Sequence, residues 1–407
     1  MLSLWKSFVI SRMIPYLHFR LSVLQFLQFF IWGSWFVTAG TYLQGTLGFS
    51  GLEVGMVYGT TAIAATISPF LLGILADRFF STEKILALLH FLGGGLLFLV
   101  AQMKEFAWFY PLILLYVLCF LPTFSLSNAL CFHHIEDTKR DFPRIRVWGT
   151  ISWILVGLLI SWLKVEDQVL PFQIAATCSV LQGLYALTLP STPPQKRKEN
   201  LWQSLRGPEM QALFKDRSLV VMIVAIALIC IPSSYYYSFV NSFLNEFGVT
   251  NAAGKMALGQ ITEAIFMLTL PWFFLRWRLK YIIFVGLLTW GLRYGCFIIG
   301  IQLHSEAWLM LGVGMHGLAY IFSMLSAQIY LDTRVPVHLR GTGQGFYSLL
   351  TLGIGVFIGS TIAGQTVSAH TLADHSHNWT QIWLLPTWFG VAVAFGFLYF
   401  FKGKQRA

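Results

Sequence analysis

A carboxylate inside an apolar segment is the first residue of this chain equipped for chemistry. Glu263 sits in Gly259-Gln260-Ile261-Thr262-Glu263-Ala264-Ile265-Phe266-Met267, whereas the rest of the seventeen acidic residues fall in loops or at the ends of apolar segments. A charge at mid-bilayer costs roughly 2.5–3.5 kcal/mol on insertion scales, so such a group faces a cavity and serves binding or proton traffic, or else neutralises a buried cation. Arg293, in Trp290-Gly291-Leu292-Arg293-Tyr294, offers that cation at matching depth on the next apolar segment. The depth match permits a Glu263–Arg293 ion pair, either purely structural or remade when Glu263 gains a proton. Gln260 stands three residues before Glu263 on the same helical face and can both donate and accept. His316 is open to three roles: donor to a bound molecule, group titrating near neutral pH, or satisfied interior histidine.

Elsewhere Arg146, Thr150 and Trp153 recur at helical spacing, placing a planar multi-donor, a hydroxyl and a large ring on one face. A snorkelling anchor and a packing aromatic are the plainer readings of Arg146 and Trp153. Ser233-Ser234-Tyr235-Tyr236-Tyr237-Ser238 follows Pro232, which is expected to break its helix and free carbonyls beside a cavity. Hydrolytic chemistry has little to stand on. The one cluster of metal-binding types, His133-His134 with Glu136-Asp137, lies in a loop beside Lys139 and Arg140 and reads as a solvated turn. The five cysteines are scattered at no metal or disulfide spacing. No enzyme activity, metal or cofactor is expected.

The elements that must position these residues are membrane helices. Of 407 residues, 56% are hydrophobic and 11% charged, far too apolar for a water-soluble protein of this length. Apolar runs of about 20 residues recur throughout, each able to cross roughly 30 Å of hydrocarbon. They predict twelve transmembrane helices, since barrel strands are shorter and alternate. Nearly all of the 27 Lys and Arg lie in the termini and even-numbered loops, the exceptions being Lys104, Lys164, Lys255 and Arg293. This asymmetry predicts both termini in the cytoplasm. It also accounts for the net charge of +10, which reflects topology rather than nucleic-acid binding. Lys6, Arg12 and Arg20 suit a retained cytoplasmic tail or surface helix. Residues 190–218 form a basic interruption with an amphipathic stretch around Leu201 to Phe214, dividing a first set of six helices (1–189) from a second (219–407). Pro143-Arg144-Ile145-Arg146-Val147-Trp148-Gly149-Thr150 and Pro336-Val337-His338-Leu339-Arg340-Gly341-Thr342 open corresponding helices of the two sets, a faint internal repeat.

On these grounds the chain resembles the major facilitator superfamily, and Gly73-Ile74-Leu75-Ala76-Asp77-Arg78 matches the front of that superfamily's hallmark loop. The resemblance implies a gating role for Asp77 and Arg78, although Phe79-Phe80-Ser81-Thr82-Glu83-Lys84 departs from the glycine and basic residues that usually follow. Within the superfamily the chain is most similar to the bacterial nucleoside/proton symporters. Gln28-Phe29-Phe30-Ile31-Trp32-Gly33-Ser34-Trp35, Asp141-Phe142-Pro143-Arg144-Ile145-Arg146-Val147-Trp148-Gly149-Thr150-Ile151, Gly259-Gln260-Ile261-Thr262-Glu263 and Gly317-Leu318-Ala319-Tyr320 carry the likeness.

The resemblance implies two six-helix bundles, transport of nucleosides by alternating access with proton symport, and an inner-membrane location. A monomer is expected. It also implies that Arg146, Thr150, Trp153, Tyr237, Gln260, Glu263, His316 and Tyr320 bind substrate, with Glu263 and Arg293 in proton coupling. A ribose needs donors and acceptors for its hydroxyls, and a base needs a flat face and a polar edge, which suits this set. One departure stands out: relatives commonly place an aspartate after the aromatic of span 10, where this chain has Ile321. A proton-independent facilitator, a carrier of sugars or other polar metabolites, and a non-transporting membrane sensor remain alternatives at this point.

Overall fold

The structure is a computed structural model and describes residues 2–76, 81–193, 215–336 and 339–402. Among the described residues the regular structure is helical, apart from one isolated bridge between Thr371 and His377. In chain order the long helices are α1 (Leu2–Phe36), α2 (Gly51–Ala76), α3 (Thr82–Val100), α4 (Phe106–His134), α5 (Thr138–Leu163), α6 (Leu170–Thr188), α7 (Arg217–Glu246), α8 (Ala252–Arg276), α9 (Leu279–Gln302), α10 (Glu306–Arg334), α11 (Gly343–Ala369) and α12 (Trp379–Phe400). Among the described residues eleven candidate spans are long and apolar enough to cross a membrane, and α2 adds a further 26-residue helix. Helices are what such sequences must form, because hydrocarbon offers no partner for an unpaired backbone N–H or C=O. The all-helical fold expected from composition is therefore the fold observed.

Local departures from that expectation have physical causes. Pro232 does not break its helix: α7 runs through it, and the hydroxyl of Tyr294 donates to the Pro232 carbonyl. The tenth helix is assembled from Glu306–Gly314, His316–Tyr320, a π-helical turn over Ile321–Leu325, and Ser326–Arg334. A π turn shifts the side chains beyond it relative to an unbroken α-helix. The amphipathic stretch around Leu201 to Phe214 lies outside the described residues.

The chain forms two compact units, one of Met1–Thr38 with Ile67–Arg197, the other of Ala39–Thr66 with Lys198–Ala407. In the first, Leu21 and Leu24 of α1 pack with Ile85, Leu86 and Leu89 of α3, Leu126 and Leu130 of α4, and Ile145 of α5. Buried polar groups there satisfy one another: Gln28 Nε2 donates to Thr123 Oγ1 at 2.7 Å, and Ser127 Oγ donates to Gln28 Oε1 at 3.2 Å. In the second, the rings of Phe243, Tyr294, Phe297 and Trp383 pack centroid to centroid at 5.3–5.8 Å. Residues 39–66 are bound into this unit by the Thr41 hydroxyl, 2.5 Å from Asn241 Oδ1, and by the Leu52 N–H, 2.8 Å from Ser368 Oγ.

Candidate functional site

The second unit gathers the intramembrane charges around His316. The α8 helix meets α10 at Gly317, whose missing side chain lets the two backbones touch. A Cβ there would stand 2.2 Å from the Glu263 nitrogen. The crossing is pinned by the Gly317 N–H, which donates to Thr262 Oγ1 at 3.2 Å. Glu263 is thus fixed beside the start of Gly317-Leu318-Ala319-Tyr320, with its side chain 33% exposed.

His316 lies between the two charges. Arg293 Nη1 is 3.3 Å from His316 Nδ1, and His316 Nε2 is 3.9 Å from Glu263 Oε2. The Glu263–Arg293 pairing suggested by depth along the helices is thus relayed through an imidazole contributed by a third helix. Arg293 itself is completely buried. Its Nε donates to the Gly312 carbonyl at 3.2 Å, and its guanidinium carbon lies 3.7 Å from the centre of the Tyr236 ring. A desolvated cation–π contact of this kind contributes about 2 kcal/mol and offsets part of the cost of burying the charge.

Aromatic rings hem the imidazole. Tyr236 stacks on it at 4.8 Å and 15°, and Tyr320 lies near-parallel at 6.0 Å and 21°. Tyr237 and Trp290 present edges, each at 5.8 Å. Of the three consecutive tyrosines, Tyr235 and Tyr236 are buried whereas Tyr237 is half-buried. Tyr235 is held by Thr366 at 2.7 Å. Gln260 and Tyr320 are likewise half-buried. Tyr237, Gln260, Glu263 and Tyr320 therefore keep accessible surface around a buried Arg293–His316 pair.

In the first unit Arg146, Thr150 and Trp153 all lie on α5 and are half-buried. The Arg146 guanidinium is 3.8 Å from the centre of the Phe29 ring of α1. Gly149 permits this stack, since a Cβ there would collide with both Phe29 and Arg146. Trp153 lies against Gly33 of α1, so Arg146 and Trp153 share the α1-facing side of α5. Asp77 and Arg78 lie outside the described residues.

Sequence reasoning missed Phe29, Tyr236 and Trp290. All were visible in the sequence, but an aromatic in an apolar helix carries no mark of whether it stacks on a cation. Ile321 is buried with Leu270, Ile282 and Phe322 in an apolar cluster.

A sequence profile of the family described as Nucleoside H+ symporter matches residues 16–406. The chain is 38% identical over 401 residues to YegT of Escherichia coli (strain K12), provisionally assigned as a nucleoside transporter, covering 95% of this chain and 94% of that one. It is 31% identical over 405 residues to the nucleoside permease NupG of the same organism, covering 96% and 97% of the two chains. The crystal structure of nucleoside transporter NupG superimposes with a TM-score of 0.87 over 95% of this chain and 100% of that one, at 31% identity. A peptide transporter of the POT family, at 13% identity and a TM-score of 0.75 over 92% of this chain and 93% of that one, shares the fold.

Proposed function

This chain belongs to the nucleoside H+ symporter family, and from that premise we propose that it carries nucleosides across the cytoplasmic membrane by alternating access, each coupled to a proton. Glu263 carries this reading: an ionisable group in the middle of a membrane helix, one-third exposed, and linked through one histidine to a buried guanidinium. Such a carboxylate has two uses. Ionised, it is held by attraction toward the His316–Arg293 pair; protonated, it is freed from that attraction and offers a sugar hydroxyl one donor and one acceptor, so that substrate binds together with the proton. Loading and unloading of proton and sugar are thereby tied to one atom pair.

Gln260 supplies both a donor and an acceptor for a base edge, and Tyr237 and Tyr320 supply flat faces with hydroxyls at their rims. In the first unit Arg146, stacked on Phe29, offers a fixed planar fork of donors, with Thr150 and Trp153 along the same helix. His316 contributes an N–H, and Arg293 keeps the cluster electrically balanced. The protein acts as a monomer with both termini in the cytoplasm.

Uptake of radiolabelled uridine and adenosine into proteoliposomes, with and without an inward proton gradient, tests the proposal. Saturable uptake that the gradient drives above equilibrium is expected, and Glu263→Gln is expected to exchange substrate without concentrating it. Absence of saturable uptake of both compounds defeats the nucleoside assignment. Uptake indifferent to the gradient reduces the protein to a facilitator.

A further inference from the structure

His316 lies against both Arg293 and Glu263, and the geometry fixes which of its nitrogens carries the proton. An arginine guanidinium only donates hydrogen bonds. Arg293 Nη1 lies 3.3 Å from His316 Nδ1, so Nδ1 must present its lone pair and the proton must sit on Nε2. That N–H points to Glu263, 3.9 Å away, longer than a hydrogen bond and within ion-pair reach. Adding a second proton would set an N–H and a positive charge directly against the guanidinium in a site where His316 is 2% exposed.

The ring is also held in place. Tyr236 and Tyr237 face it from α7, Trp290 and Arg293 from α9, Glu263 from α8, and Tyr320 from its own helix. Of these, Glu263 is the acid and Arg293 the cation, and the three tyrosines offer hydroxyls that donate and accept. Gly259 of α8 packs against the His316 Cβ, leaving little room for the side chain to swing.

We propose that His316 is a positioning residue locked by Arg293 as a neutral Nε2–H donor, so that Glu263 alone takes up the coupled proton and His316 transmits the guanidinium's pull to it. The proposal rests on the symport reading above and deepens it. With Glu263 ionised, the Nε2–H is drawn to the carboxylate; with Glu263 protonated, that N–H is released to a bound hydroxyl. Arg293 thereby acts on a carboxylate one residue removed.

Two measurements test it. Solid-state NMR of 15N-histidine-labelled protein in lipid bilayers reads the His316 tautomer without any transport, with His316→Gln identifying the resonances. Nδ1 unprotonated and Nε2 protonated from pH 5.5 to 8 is expected. An Nδ1–H tautomer, or a doubly protonated ring inside that range, overturns the proposal. This result is independent of which substrate the protein carries, so its failure is distinct from failure of the nucleoside assignment.

The second measurement is the pH profile of substrate exchange and accumulation. His316→Gln keeps an N–H donor toward Glu263 and should keep the wild-type midpoint while the rate falls up to about 10-fold. His316→Leu should lose accumulation. Arg293→Met frees Nδ1, and 15N signals of an Nδ1–H tautomer absent from the wild type should appear. The double variant Arg293→Met/His316→Gln should lose those signals again. A wild-type inflection that vanishes in His316→Gln, or an Arg293→Met histidine spectrum identical to wild type, refutes the lock.

Discussion

Replacing Gly317 with alanine tests whether the α8–α10 crossing sets the position of Glu263. The added Cβ would stand 2.2 Å from the Glu263 nitrogen, 2.2 Å from the Thr262 carbonyl carbon and 2.5 Å from the Thr262 oxygen. Ordinary Cβ contacts begin near 3.4 Å, and all three neighbours are backbone atoms with no rotamer to yield. The helices must therefore part by about 1 Å where Glu263 faces His316. Misplacing a functional group by ~1 Å costs on the order of 100-fold in rate, and overpacking a helix contact costs about 1–3 kcal/mol of stability. Gly317→Ala is thus expected to lower the initial rate of proton-driven uptake 10- to 100-fold, with a drop in the melting temperature of the protein in lipid. Gly314→Ala is the matched control, because its Cβ would meet only the flexible Leu258 side chain, at 3.4 Å. It should retain most of the wild-type rate. Wild-type uptake by Gly317→Ala, or equal losses in the two variants, would refute the claim that close backbone contact places the carboxylate.

Other substitutions probe the remaining parts. Arg146→Lys keeps the charge but loses the planar stack on Phe29, 3.8 Å away, and should raise the KM for uptake several-fold, about 0.5–2 kcal/mol of cation–π and fork geometry, with little change in melting temperature. Ile321→Asp places a carboxylate among Leu270, Ile282 and Phe322 and should destabilise the protein by roughly 2.5–3.5 kcal/mol, read as a lower melting temperature, without raising the number of protons moved per substrate. In the connection before α12, hydrogen bonds from the Ser376 hydroxyl and then the Ser376 N–H hold Asp374 below the ordinary carboxylate range. Stability from this group is present above the ordinary carboxylate pKa and lost as pH falls through the lowered value, so Ser376→Ala should move its NMR titration upward toward the ordinary value.

The sequence makes charges legible and leaves their neighbours hidden. Glu263 and Arg293 stand out because ionised groups are rare in apolar helices, and residue counting along antiparallel helices puts them at similar depth. The lateral arrangement is another matter. His316 comes between them through the packing of α10 onto α8 and α9, which depends on Gly317 fitting a backbone that no local pattern specifies. Three consecutive tyrosines point around most of a helical turn, so choosing Tyr237 over Tyr236 as the accessible one requires knowing which helices lie alongside. That α7 continues through Pro232 is likewise not announced by the local sequence. The association of residues 39–66 with the second unit is a tertiary fact that spans and linkers do not announce.

The apolar seat of Ile321 bounds the size of the proposed engine. In the proposed cycle Glu263 is the exchangeable acid of the His316 cluster, since a greasy side chain fills the position after Tyr320. One such acid would carry one proton per turnover, and a single charge falling through 100 mV releases about 2.3 kcal/mol. Since every 1.4 kcal/mol is a factor of ten, an uncharged cargo can be concentrated roughly 50-fold by that voltage before the cycle stalls. Accumulation beyond that ratio would need a pH gradient added to the voltage.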